Sequence, residues 1–328
     1  MDTRIVDTSQ VSEARRLAVE FARRTGMDDA KLASIALIAT EMATNLIKHG
    51  GGGTLLVDRF DDTDGQGIEL MALDQGAGMT DVRTCLADGY STAGSPGTGF
   101  GAITRQSDRL AVFSRPRLGT AVMARLIVEP AVNPPSGTEL GVVSGAYPGE
   151  TVCGDHWAFG IGRGGPTLLV ADGSGHGPEA GRAALTATQI FGEHLDDDCV
   201  TLVGRMHRGL APTRGAALAV ARIDRGESVV RFTGVGNIAG TLVSDGDVRR
   251  MVSHNGTAGH VAARIREFTY PFTGNPLVIL HSDGLSTKWG LADYPGLAAS
   301  HPSLIAGILF RDFRRGRDDA TVVVMRTS

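Results

Sequence analysis

Residues 167–177 read TLLVADGSGHG. Four apolar side chains, Leu168 to Ala171, lead into Asp172, and glycines follow at 173, 175 and 177. A short apolar run closed by Asp-Gly reads as a buried strand ending in a turn, so a rigid sheet can aim the carboxylate. Three other apolar runs end in, or lead out of, Asp-containing turns: VCGDHW at 152–157 around Asp155, LVILHSDGLS at 277–286 around Asp283, and GRDDATVVV at 316–324 around Asp318 and Asp319. Each alone is an ordinary turn. Together they offer what hard divalent cations require, several oxygen ligands on rigid supports. Two such cations sharing carboxylates can polarise a water and clamp a phosphoryl group. The glycines after Asp172 and Asp283 let the backbone approach an ion closely.

In this order the motifs resemble the bacterial SpoIIE-like branch of the type-2C metal-dependent protein phosphatases, nearest the small stress-response phosphatases such as RsbX, over about residues 138–328. The resemblance implies a phosphoserine/phosphothreonine phosphatase using magnesium or manganese. Asp172 would be the catalytic bridge between two metals. Gly173, through its carbonyl, and Asp155 would complete one site. Asp283 and Asp318 would hold the other, with Asp319 adjacent. Water activated by the metals would be the nucleophile, so no covalent protein intermediate is expected. Many eukaryotic relatives carry a histidine where Ser174 stands here. The nearest histidine in this chain is His176, and turn residue and proton donor both remain open for it.

Around these motifs, strands are expected at 140–144, 156–162, 166–172, 216–224, 228–234, 238–244, 247–252, 276–282 and 320–325. Helices are expected at 178–194, 198–210 and 301–313. Many antiparallel-type strands with few helices predict a β-sandwich flanked by helices. Residues 129–138, EPAVNPPSGT, contain three prolines and a glycine and read as a linker.

Before the linker the pattern differs. Residues 11–25 and 28–49 have helical apolar spacing, with Asp28 as an N-cap and Gly50 to Gly53 as the stop. Strands are expected at 54–60, 67–74, 109–114 and 120–128, with a helix at 102–108. This order predicts an α/β sandwich with helices on one face of a mixed sheet. Glu41 and Asn45 stand i, i+4 on one helix face. DQGAGM at 74–79 follows a strand, and SPGTGFG at 95–101 precedes a helix. Glycine-rich turns entering a helix present backbone N–H groups to phosphate. The spacing fits neither a Rossmann nor a Walker motif, and no GKS or GKT occurs.

The set ExxxN, DxGxGM, GxGxG and a late Gly119-Thr120 resembles the GHKL ATPase/kinase superfamily over about residues 5–128. LADGYSTAGSPGTGFGAI at 86–103 is similar to anti-sigma-regulating serine kinases of the RsbT/RsbW type. The resemblance implies that Asn45 coordinates magnesium on ATP and that Glu41 is the general base on the substrate hydroxyl. Asp74 would bind the adenine amino group, with Thr120 behind it. Gly76 and Gly78 would allow close nucleotide approach, and Gly97, Gly99 and Gly101 would form the lid over the phosphates. The fold class expected is thus α/β (α+β): a GHKL-type ATP-binding/serine kinase domain at 1–128, a linker at 129–138, and a SpoIIE-like phosphatase domain at 139–328.

The 328 residues suit two domains, and 42% hydrophobic with 21% charged residues fits a globular chain. A net charge of -4 argues against nucleic acid or an anionic membrane as main partner. Three scattered cysteines without a CxxC pair predict reduced thiols. No secretory signal is read, and no apolar run is expected to reach the roughly 18–20 residues of a membrane span. The expected location is cytoplasmic. Three functions follow. A bifunctional kinase and phosphatase would act on a STAS-domain anti-anti-sigma or stressosome scaffold protein, with a sigma factor or other regulator downstream. A phosphatase could instead carry a nucleotide-sensing or docking module. A non-enzymatic partner-switching protein is the third.

Overall fold

The computed structural model describes residues 1–86, 99–131, 137–262 and 264–328. Two units emerge: residues 1–135 with 290–311, and residues 136–289 with 312–328. In the first, β1 (Asp2–Ile5), α1 (Ser9–Arg23), α2 (Asp29–Lys48), β2 (Gly53–Asp62), β3 (Gly65–Asp74), α3 (Val82–Leu86), α4 (Gly99–Gln106), β4 (Arg109–Ser114) and β5 (Thr120–Pro130) follow in order. The second contains β6 (Thr138–Gly145), β7 (Asp155–Gly162), β8 (Gly165–Gly173), α5 (Pro178–Glu193), α6 (Cys199–Gly209), β9 (Ala216–Asp224), β10 (Val229–Val235), β11 (Ala239–Ser244), β12 (Asp247–Met251), β13 (Phe268–Pro271), β14 (Leu277–His281) and β15 (Ala320–Thr327). Helix α7 (Pro302–Phe313) lies between β14 and β15 in sequence, and its residues up to Arg311 belong to the first unit.

The first sheet has the order β1-β2-β3-β5-β4, and every pairing is antiparallel. This corrects the mixed sheet expected from the sequence. The hairpin β4–β5 folds back so that β5, not β4, pairs with β3. Asp28 caps α2 as expected, accepting from the Lys31 amide at 2.8 Å. Ile35, Ile38, Met42 and Leu46 of α2 pack on Ile68, Leu70 and Ala72 of β3. Their apolar character makes α2 long and apolar enough, by length and composition, to cross a bilayer. The expectation that no run would be was wrong, because a helix buried against a sheet meets the same test.

The alternate β3 residues Glu69, Met71 and Leu73 face the other way, and they are buried as well. A Cβ on Gly307 of α7 would come within 2.4 Å of Met71 Sδ and 3.1 Å of Leu73 Cδ2. The sheet therefore has helices on both faces, where one had been expected. The expected linker is also shorter than read. Glu129 and Pro130 pair with Gln66 and Gly65, and Thr138 pairs with Thr327; residues 132–136 lie outside the described residues.

A charged cluster crosses the second face. Arg125, 2% exposed, holds Glu69 at 2.7 Å, Asp64 at 2.9 Å and Asp62 at 3.0 Å, and its guanidinium lies 4.4 Å from the Phe60 ring centroid. Burial, only partly offset by Arg125, pushes the Asp62 carboxyl up to about 6. Removing Arg125 would leave the buried Asp62 and Glu69 carboxylates uncompensated. Arg125→Met should cost about 3–5 kcal/mol, read as a lowered urea midpoint for the full chain.

The second unit has two five-stranded sheets, β13-β10-β9-β8-β7 and β12-β11-β14-β15-β6. Their inner faces share one core, with Leu168, Val170, Phe232, Val278 and Val323 in it. Helices α5 and α6 cover the outer face of the first sheet through Ala184, Phe191, Leu202 and Met206. This is the flanked β-sandwich that the strand pattern predicted. Strand β13 and the short β1 went unread, since four residues give too little periodicity.

Candidate functional site

The two sheets of the second unit each bring carboxylates to the site. Asp155 opens β7 and Asp172 nears the end of β8, directly opposite in antiparallel register. Asp283 follows β14, and Asp318 and Asp319 precede β15 in the other sheet. Burial first, then Asp155, Asp283, Asp318 and Asp319, pushes the Asp172 carboxyl up to about 9. Asp155 is raised to about 7, chiefly by burial, against a hydrogen bond from Ser282. Asp283 is raised by burial and by Asp318, against Arg315 and Asn237. The five carboxylates thus share one field.

Hydrogen bonds hold Asp155, Asp283, Asp318 and Asp319. Ser282 Oγ donates to Asp155 Oδ2 at 2.6 Å, and the Thr321 amide donates to Ser282 Oγ at 2.9 Å. Asn237 Nδ2 donates to Asp283 Oδ2 at 2.7 Å. The Tyr147 amide donates to Asp319 Oδ1 at 2.8 Å, and the Asp319 amide to Asp318 Oδ1 at 3.0 Å. Gly173 sits so close to α5 that a Cβ would meet the Ala180 oxygen at 2.0 Å. A Cβ on Gly284 would lie 1.8 Å from the Asp319 oxygen, so only glycine lets the two turns meet.

Among the described residues, no group of three or more His, Cys, Asp or Glu is gathered as tightly as a bound cation requires. The donor set nevertheless fits one. Asp155 Oδ1 and Asp319 Oδ2 are buried with no hydrogen-bond partner, and unsatisfied buried anionic oxygens are costly. All donors are hard oxygens, suited to magnesium or manganese. His176 is part of the surroundings: its Nδ1 lies 3.0 Å from Glu150 Oε1, and its ring stacks on Tyr147 at 4.5 Å. Sequence reasoning missed Ser282, Asn237, Tyr147 and Glu150. Ser282 had a readable signal, standing beside Asp283; the others come from distant loops.

The first unit builds a second site. Asp74 Oδ1 accepts from the amides of Gly76 at 2.8 Å and Thr120 at 3.1 Å. Burial raises the Asp74 carboxyl, while these amides, Arg311 and His49 act against it. Thr120 Oγ1 and Ser114 Oγ lie 2.9 Å apart, and the Met79 amide donates to Ser114 Oγ at 2.8 Å. Gly78 (φ +72°) and Gly119 (φ +70°) are left-handed, and a Cβ on them would come within 1.9 Å of the Arg115 oxygen and 2.1 Å of the Asp74 oxygen. The end of α2 abuts this floor: a Cβ on Gly76 would meet the His49 oxygen at 2.6 Å.

Glu41 and Asn45 lie half-buried one turn apart on α2. Gly99 and Gly101 fall in the first turn of α4, while Gly97 lies outside the described residues. The structure thus joins Asp74, Gly76, Gly78 and Thr120 into one floor beside the α2 terminus. It shows no contact from Glu41, Asn45, Gly99 or Gly101 to that floor. Ser114, which knits the floor together, was missed because an isolated strand serine carries no pattern.

Comparison with known proteins matches the two units separately. Residues 6–126 match the histidine kinase-like ATPase domain. Residues 163–328 match Stage II sporulation protein E (SpoIIE). The serine/threonine-protein kinase RsbT of Bacillus subtilis (strain 168) is 30% identical over 121 residues, 37% of this chain and 91% of RsbT. A solved chain from work on the bacterial stressosome, a modular system adapted to control secondary messenger signaling, is 29% identical with a TM-score of 0.54, covering 58% of this chain and 99% of its own. RsbX, solved in complex with magnesium, shares the fold at 18% identity with a TM-score of 0.53, covering 60% of this chain and 99% of RsbX. With half of its length matched, and Asp172, Asp283, Asp318 and Asp319 inside the match, the chain belongs to the SpoIIE family, a PP2C-type serine/threonine phosphatase joined to an RsbT-like, histidine kinase-like ATPase domain.

Proposed function

We propose that the chain is a bifunctional regulator of partner switching in the cytoplasm. Its first unit phosphorylates a serine of a STAS-domain anti-anti-sigma or stressosome-type protein at the expense of ATP, and its second unit removes that phosphate. The observation that carries the kinase half is the pair Glu41 and Asn45. Both are half-buried on α2, one turn apart, and among the described residues neither side chain is engaged by another residue. A half-buried carboxylate with no structural task is what a general base requires. Glu41 takes the proton from the substrate hydroxyl as its oxygen accepts the γ-phosphoryl group and ADP leaves. Asn45 would hold magnesium on the triphosphate, and the Asp74–Thr120 floor would receive the adenine.

In the second unit, Asp155, Asp172, Asp283, Asp318 and Asp319 with the Gly173 carbonyl would hold magnesium or manganese. Such a metal would supply an activated water and neutralise phosphoryl charge. Ser282, Asn237 and the Tyr147 amide keep the carboxylates aimed. In the net reaction the water oxygen bonds to phosphorus, the bond from phosphorus to the serine oxygen breaks, that oxygen takes a proton from the water, and inorganic phosphate departs.

The test uses labelled ATP, the full chain and a purified STAS-domain protein. Label transfer should vanish in Glu41→Gln while nucleotide affinity stays within about twofold of the parent, since the amide keeps the shape and loses the base. Undiminished transfer by Glu41→Gln would remove the kinase assignment. A second reading, a phosphatase governed by bound nucleotide, is favoured by one contact, from Arg311 to the Asp74 carbonyl. It predicts no transfer from the parent protein and a phosphatase rate that changes with nucleotide.

A further inference from the structure

Within the second unit, residues 312–318 read DFRRGRD, with three arginines just ahead of Asp318. This segment runs antiparallel to the turn that follows Asp283. The Ser286 amide donates to the Phe313 carbonyl at 2.9 Å, and the Arg315 amide donates to the Gly284 carbonyl at 2.8 Å. Between these bonds, Leu285 and Arg314 form an antiparallel bridge. Three consecutive residues are thus clamped against three, and Arg315 is fixed opposite Gly284, the residue next to Asp283.

Successive side chains of an extended segment point to opposite sides. Arg314 turns inward: it is half-buried, and its Nη2 donates to the Ala146 carbonyl at 2.6 Å. Its bridge partner Leu285 is fully buried. Arg315, the next residue, is exposed, and among the described residues no carboxylate forms an ion pair with it. Its charge nevertheless reaches the site. Burial first, then Asp318, raises the Asp283 carboxyl, and Arg315 acts against both. It does so without bonding to Asp283, whose Oδ2 accepts from Asn237 at 2.7 Å.

A phosphate monoester carries about -1.5 to -2 charge at pH 7. A field of five carboxylates repels it, and bound metal cancels that field only in part. An uncommitted guanidinium at the rim adds positive charge on the Asp283 side. Its planar fork of donors also matches two phosphoryl oxygens at once. An arginine already held by an acid offers less. Arg163 is such a one: its Nε lies 3.5 Å from Asp196 Oδ2. It stands at the far end of the β7–β8 pair, where Gly162 meets Gly165, while Asp155 meets Asp172 at the site end.

We propose that Arg315 is a substrate-binding residue of the phosphatase, its guanidinium donating to the non-bridging oxygens of the phosphoseryl group and then of the released inorganic phosphate. This rests on the reading of the second unit as a metal-dependent phosphatase. The backbone clamp to Gly284 gives the side chain a fixed base, so Arg315 needs no rearrangement of the Asp283 turn to meet the anion.

The experiment compares the full-length parent with Arg315→Met, Arg315→Lys and, as a control for net charge, Arg163→Met. Calorimetry measures manganese binding to the chelator-treated protein and inorganic phosphate binding to the manganese-loaded protein. Turnover of a phosphoserine peptide gives kcat and KM, and melting curves check the fold. Arg315→Met should bind phosphate about tenfold more weakly, with kcat/KM lowered at least as much, as for the loss of charge-assisted hydrogen bonds. Arg315→Lys keeps the charge without the fork and should lie between it and the parent. Manganese should bind Arg315→Met no more weakly than the parent, since a cation near the carboxylates has gone. Arg163→Met should match the parent throughout. Parent-like phosphate affinity in a folded Arg315→Met overturns the proposal. So does manganese binding weakened as much as phosphate binding, which would make Arg315 a support of the Asp283 turn, and so does an equal loss in Arg163→Met. Should Arg315→Met fail to melt cooperatively, Arg315→Lys decides by the same readings. If the parent hydrolyses no phosphoserine peptide at any manganese concentration, the phosphatase reading itself has failed, and the proposal with it.

Discussion

Asp172→Asn should abolish phosphatase activity and at the same time make the metal-free protein more stable. Asp172 stands across from Asp155 in the β7–β8 pair, in the field of Asp283, Asp318 and Asp319. Its carboxyl rises from 3.8 to about 9 through burial and these like charges. The folded, metal-free chain therefore holds a proton that the unfolded chain releases above about pH 4. Between about pH 4 and 9 the folded state binds more protons, so stability falls as pH rises. Asparagine removes the charge and this dependence. At pH 8 with chelator the variant should gain about 2 kcal/mol, on the order of 5 °C in melting temperature. Metal reverses the order, since it stabilises only the parent, and its binding must expel the proton, so metal affinity should rise with pH. Turnover of phosphoserine peptide should fall on the order of a thousandfold or more, because a carboxylate that would hold the metal is lost. Melting curves from pH 5 to 9, with and without manganese, read all of this. A variant less stable than the parent in chelator would contradict the shared-field account.

Asn45→Ala should remove ATP-dependent phosphorylation and leave the phosphatase rate within about twofold. Among the described residues no hydrogen bond engages the side chain, so its loss breaks none there, and alanine has the higher helix propensity. The fold should therefore survive, and a difference in function reports the ligand role alone. On the proposed role, magnesium on the triphosphate would lose a protein ligand, and transfer should drop by at least about a hundredfold. The second-unit carboxylates would hold separate metals, so hydrolysis without nucleotide should persist. Loss of both activities in a folded variant would show that the two sites are not separable.

Much of the fold was legible because the chain is locally consistent. Apolar runs closed by Asp-Gly gave β8 and β14, and β9 was read with its bounds unchanged, since buried strands have dense β-branched and apolar runs. The carboxylate positions were legible for the same reason: each stands at one end of such a run. What escaped were relations between distant residues. The antiparallel order of the first sheet depends on which strand the β4–β5 hairpin offers to β3, and no local pattern encodes that choice. The run Ile68 to Asp74 is buried throughout, which says that both faces are covered but not by what.

By itself the sequence determined the elements, the two kinds of motif and the residue types capable of chemistry, because periodicity, turn residues and donor chemistry are local properties. Only the tertiary structure decided what supports and completes the sites. Ser282 under Asp155, the Tyr147 amide on Asp319, Arg125 among Glu69, Asp62 and Asp64, and Arg311 on the Asp74 carbonyl all join residues far apart in the chain. Such pairings follow from how sheets and helices stack. Burial in that stack, rather than the identity of any one residue, is what raises Asp172 and draws α7 to the first sheet.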